Sequence, residues 1–111
     1  MDRICTYRAL ILKTLQEIAD LYRNEQSAHI KLVCDEERGH YHLGEVGWEG
    51  DRRIDSMIVH LDLIGEKIWI QRNATEIRVA EELIRAGVSK QHIVLGFQHP
   101  DRRPDTDYAT A

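Results

Sequence analysis

The side chains best suited to chemistry in this 111-residue sequence are histidines and carboxylates spaced two residues apart. His60-x-Asp62 puts an imidazole and a carboxylate on one face of an extended chain, a spacing that could bind a metal or orient a base. His40-x-His42 projects two imidazoles in the same way. Neither spacing identifies a third ligand. Sheet-surface His and Asp beside Arg and Gln are more often solvated or paired locally, so the expectation is no metal and no cofactor. Nucleophilic catalysis needs a Ser or Cys with a positioned base. No G-x-S-x-G is present, and neither cysteine has a recognisable catalytic setting. Gly44, Gly47 and Gly50 are regularly spaced, but no G-K-[ST] follows, which excludes a phosphate loop. The sequence offers no catalytic residue, and the expected protein is not an enzyme.

Charge narrows the partners. Fifteen Lys+Arg against nineteen Asp+Glu leave a net charge of −4, and the pI is near 5.8. That balance argues against coating of DNA, RNA or anionic lipid by bulk attraction, which depends on neutralising phosphates. Two basic pairs, Arg52-Arg53 and Arg102-Arg103, could grip phosphates locally, but each lies among acids, at Asp51 and Asp55 and at Asp101 and Asp105. Such mixed clusters are usually solvated loops or protein contacts. Cys5 and Cys34 lack any C-x-x-C context and are expected as small buried hydrophobes of a reducing compartment. No basic n-region followed by an apolar run opens the sequence, and no run approaches the roughly 18 apolar residues of a membrane span. The expected location is cytoplasmic.

These side chains need elements to hold them. Ile4, Tyr7, Ile11, Leu15, Ile18 and Tyr22 recur at steps of three or four, predicting a core-facing helix from Asp2 to Arg23, widened by Leu10 and Leu21. Ile30, Leu32 and Cys34 alternate with Lys31, Val33 and Asp35, a half-buried strand. Asp35 to Gly39 supplies a turn, with Gly39 free to adopt positive φ. A second strand runs from His40 to Trp48. Its parity slips between Tyr41/Leu43 and Val46/Trp48, which predicts a bulge or sharp twist at Gly44. Glu49 to Arg53 reads as a loop.

The third and fourth strands form the clearest feature. With Gly65-Glu66 as a type II′ turn, Ile64 faces Lys67, Leu63 faces Ile68 and Leu61 faces Ile70 on the buried side. Asp62 then falls opposite Trp69, and His60 opposite Gln71, on the other face. A second helix is predicted from Thr75 to Ala86, capped by Asn73 with Glu76 and stopped by Gly87. His92 to Phe97 is apolar enough for a fifth strand, covered on both faces or tucked at a subunit junction, and after His99-Pro100 the tail shows no helical or strand period.

The fold class is therefore α+β: one domain over residues 1–111, a twisted, mainly antiparallel sheet of about five strands with both helices on one face. The opposite face carries Trp69, which points to self-association as a homo-oligomer. Trp48, Trp69 and Phe97 are the candidate apolar anchors for a partner or a second copy, with the tail at His99, Arg102 and Arg103 as a clasp.

One resemblance spans essentially the whole chain. His60-Leu61-Asp62-Leu63, Lys67-Ile68-Trp69-Ile70-Gln71, Thr75-Glu76, Ala80-x-x-Leu83, Gly87-Val88-Ser89-Lys90 and Ile93-Val94-Leu95-Gly96-Phe97, in that order, closely resemble the XisI family. Val46-Gly47-Trp48 and the closing Tyr108-Ala109-Thr110-Ala111 match as well. The sequence departs where Asn73-Ala74 replaces the family's Asp-Gly and Ile77-Arg78 a more acidic, Gly-containing pair. The resemblance implies a small α+β protein, mostly of cyanobacteria, named for controlling excision of the fdxN DNA element. It implies a separate recombinase and a protein companion, XisH, and it carries no catalytic residues across. The expected function is a non-enzymatic accessory factor that binds an XisH-like partner. The alternative is a direct DNA-binding, excisionase-like factor.

Overall fold

The computed structural model describes residues 2–23 and 28–111. The helix α1 (Arg3–Arg23) is followed by β1 (Ala28–Asp35), β2 (His40–Glu49), β3 (Arg52–Ile64), β4 (Lys67–Asn73), α2 (Val79–Ala86) and β5 (Ile93–Leu95). The five strands form one sheet in the order β1-β2-β3-β4-β5. The first four are an antiparallel meander, and β5 returns parallel to β4 after α2. This is the expected α+β architecture. No helix among the described residues is long and apolar enough to cross a membrane.

One face of the sheet carries the core. Tyr41 and Leu43 of β2, Val59, Leu61 and Leu63 of β3, Ile68 and Ile70 of β4 and Ile93 of β5 are buried together. Tyr7, Ile11, Leu15 and Ile18 of α1 and Val79 and Leu83 of α2 close over them, as the 3.6-residue period requires. Leu21 does not belong to this stripe: it is exposed, and Thr14 is buried in its stead. Cys5 and Cys34 are likewise exposed rather than buried. Cys34 has the inward parity of β1, pairing with Tyr41, but it lies next to the end of an edge strand.

Two local signals act as anticipated. Gly39 has φ +77° and Gly65 φ +62°, and no non-glycine residue among the described residues has positive φ, so Gly65-Glu66 has the backbone signature of a type II′ turn. Its pairs Ile64↔Lys67, Leu63↔Ile68, Asp62↔Trp69 and Leu61↔Ile70 all form. The register between β2 and β3 shifts at Leu43/Gly44, where an irregularity was expected, but the extra residue is Ile58 of β3: β2 keeps its pairing with β1 unbroken, so Val46 and Trp48 stay on the face of His40 and His42. A second shift at His60/Leu61 was not legible: His60 pairs with Arg72 rather than Gln71. The extra residue turns the Gln71 amide onto Asp62.

Other boundaries differ for physical reasons. Arg52 and Arg53 open β3 instead of lying in a loop, because Gly50, at φ +60°, turns the chain within two residues. The second helix starts at Val79, not Thr75. Asn73 spends its side chain on an Asx-type turn, accepting from the Thr75 N–H at 3.0 Å and donating to the Ile77 carbonyl at 2.7 Å, which competes with helix initiation. Gly87 ends α2 at φ 123°, as expected. β5 stops at Leu95, before Phe97. The tail is more ordered than its sequence suggests: Pro100–Asp105 form a 3-10 helix, and Ala109 makes a parallel bridge to Val94. That bridge, with the Ala109 N–H donating to the Ile93 carbonyl at 2.9 Å, buries Val94 from the side opposite the helices.

Candidate functional site

The sheet face away from the helices holds the chemistry. Cross-strand register places His40 opposite Asp62 and His42 opposite His60, while Asp62 is opposite Trp69. The two dipeptide patterns of the sequence therefore meet on adjacent strands and become one cluster. Period-two alternation puts each pair on one face, but only the β2–β3 register brings them together.

Asp62 is the centre. Its Oδ1 accepts from His40 Nδ1 at 2.8 Å and from His60 Nε2 at 2.9 Å. Its Oδ2 accepts from Gln71 Nε2 at 3.2 Å. Burial works to raise the Asp62 pKa, but hydrogen bonds from His40, His60 and Gln71 together outweigh it and hold the carboxyl below 3.8. An ionised carboxylate only accepts, so both imidazole nitrogens facing it carry the hydrogen. Exposure is graded: the side chain of Asp62 is 12% accessible, that of His60 26% and that of His40 51%. His40 is thus the solvent-facing edge of the cluster.

His42 lies beside these three. Its ring meets the His60 ring edge-on with centroids 4.2 Å apart, and its Nε2 is buried without a hydrogen-bond partner among the described residues. Burial, followed by the neighbouring His60 charge, pushes the His42 pKa below 6.5 against the opposing pull of Asp62.

The sequence-predicted anchors do not form one patch. Trp48 is 56% exposed at the far end of β2, with the Arg53 guanidinium 5.4 Å from its ring centre. At about 3.3 Å per residue it lies roughly 26 Å along β2 from His40. Trp69 is half-buried on the same sheet face, under the Arg103 guanidinium at 5.1 Å. Arg103 is spent inside the fold, donating from Nε to the Gln98 carbonyl and from a terminal nitrogen to that of Gly96. Phe97 is exposed but borders a hollow with Val79, Ala80 and Tyr108, on the helix side. His99 caps the tail's 3-10 helix by accepting from the Asp101 N–H at 3.1 Å, and Arg102 is exposed. The tail folds over Trp69.

Sequence reasoning placed Gln71 on this face but opposite His60, and so missed its bond to Asp62; it also missed the convergence of His40 with His60. A cross-strand alignment of the β2 and β3 patterns would have exposed that convergence.

Comparison with known proteins agrees with this architecture. A XisI-like protein from Anabaena variabilis is 40% identical, superposes with a TM-score of 0.90, and the match covers 97% of this chain and 99% of that one. The fdxN element excision controlling factor XisI from Anabaena variabilis is 33% identical with a TM-score of 0.77, over 99% of this chain and 100% of that one. No curated protein matches. The XisI protein family matches residues 1–110, and this chain belongs to it.

Proposed function

We propose that this protein is a non-enzymatic accessory factor in the controlled excision of a DNA element, and that it acts by binding a protein partner, an XisH-like companion. The observation that carries this reading is the whole-length family match together with a structural relative named as an excision controlling factor. Surface chemistry supports contact with protein over contact with phosphate. Net charge is −4, which favours docking onto a basic nucleic-acid-binding protein. The basic pairs are partly engaged: Arg52 pairs with Glu49 at 3.5 Å, and Arg53 and Arg103 lie over Trp48 and Trp69. Exposed Val33 and Trp48 on the open sheet face supply apolar anchors.

Co-expression of this chain with an XisH-like companion, followed by size-exclusion chromatography, tests the reading. The expected result is a stable complex that Trp48→Asp weakens at least tenfold while the variant remains folded. Absence of a complex at micromolar concentration refutes it. A shift of duplex DNA by this chain alone, weakening steeply with salt and lost on reversing the charges of Arg52, Arg53, Arg102 and Arg103, would replace it with direct DNA binding.

A further inference from the structure

We infer that His40, His60 and Asp62 form a binding site for a divalent transition-metal ion of the zinc class. His40 Nδ1, His60 Nε2 and the Asp62 carboxylate lie within 4.8 Å of one another. Both imidazoles converge on the same oxygen, Asp62 Oδ1, at 2.8 and 2.9 Å. Ligands around a tetrahedral zinc stand about 3.3 Å apart, given bonds near 2.0–2.1 Å. To exchange its two shared hydrogens for a cation, each nitrogen backs away from Oδ1 by about half an ångström, and the two nitrogens, which lie within 4.8 Å of one another, settle near the same spacing.

The donor set selects the ion. Two imidazole nitrogens and one carboxylate oxygen suit zinc and its neighbours and disfavour calcium and magnesium, which take oxygen donors. Three protein ligands leave a fourth position, and half-exposed His40 leaves that position to water. Each imidazole must present a lone pair, so its hydrogen moves to the other ring nitrogen. The solvent-facing ring of His40 has water available for that exchange.

The supporting shell is also in place. Gln71 holds Asp62 Oδ2 at 3.2 Å, which fixes the carboxylate so that Oδ1 faces the imidazoles. His42 packs edge-on against His60 and restricts its ring. All three ligands stand on the paired strands β2 and β3, where the ladder fixes their spacing. A purely structural hydrogen-bonded cluster would need none of this selectivity, and metal affinity separates the two roles.

The test uses the untagged full chain, stripped with EDTA and titrated with zinc chloride at pH 7 by calorimetry. The expected result is one ion per chain with micromolar or tighter affinity. His40→Gln and Asp62→Asn should each weaken binding by more than about 100-fold, whereas Gln71→Leu, an outer-shell change, should weaken it about 10–100-fold. His99→Gln, at the distant tail pair with Asp101, should leave affinity unchanged. His40 is half-exposed, so His40→Gln decides the matter if Asp62→Asn does not fold. Failure of the folded wild-type chain to bind zinc stoichiometrically, or affinity that survives His40→Gln, overturns the assignment.

Discussion

Gly39 closes the turn that delivers His40 to Asp62, and replacing it by alanine tests how that delivery is built. Its φ is +77°, and a Cβ placed there would sit 2.5 Å from the Leu63 carbonyl oxygen. Gly65, at φ +62°, has nothing within 4 Å of the same position. Left-handed backbone costs an L-residue about 1–2 kcal/mol, so Gly65→Ala should destabilise by about that amount. Gly39→Ala incurs the same cost and must also displace a backbone carbonyl. The strand cannot retreat freely, because the Leu63 N–H donates to the Gly39 carbonyl at 2.8 Å. Overpacking of this kind costs about 1–3 kcal/mol, bringing the total to about 2–5 kcal/mol. Urea denaturation followed by circular dichroism, with matched m-values, measures both variants. A Gly39→Ala protein no less stable than Gly65→Ala would refute the argument that backbone crowding, rather than φ alone, demands glycine here.

Further outcomes follow from burial and charge. Leu61→Ala empties a fully buried site between sheet and helices and should cost about 2–5 kcal/mol by denaturant titration, while Leu21→Ala, on an exposed side chain, should change stability by less than about 0.5 kcal/mol. Trp69→Ala should lower the melting temperature and expose the tail to proteolysis, because Arg103 packs on that ring; Trp48→Ala should do neither. Burial holds the Tyr41 phenol above its usual value of 10.0. The unfolded chain therefore ionises first as pH rises past 10, so native stability falls with alkalinity. Tyr41→Phe should flatten that decline in stability curves taken between about pH 9 and 11.

The XisI resemblance was legible in the ordered second-half motifs and agrees with the family match over residues 1–110. The elements were legible because their signals are local. A 3.6-residue stripe from Ile4 to Tyr22, alternation in the strands, and glycine at Gly39, Gly65 and Gly87 each act within a turn or two of the chain. Even the β3–β4 pairing followed locally, since a two-residue turn leaves one register for the apolar side chains of Leu61, Leu63, Ile68 and Ile70. Asn73 showed the limit of local reasoning. It carries the sequence mark of a helix cap, yet its amide serves the turn before α2.

The candidate site belongs to a different order of information. His40 and Asp62 are 22 residues apart, and no spacing rule within either strand relates them. Their meeting depends on the β2–β3 register, which the shift at Leu43/Gly44 resets, and Gln71 bonds Asp62 beside a second shift at His60/Leu61. Local sequence thus determined the order and type of the main elements and the buried face of α1, β3 and β4, while boundaries such as Arg52 and Val79 followed from the turns beside them. The convergence of two imidazoles on one carboxylate oxygen was decided by the sheet, because strand register is a property of paired chains and each bulge shifts every neighbour beyond it.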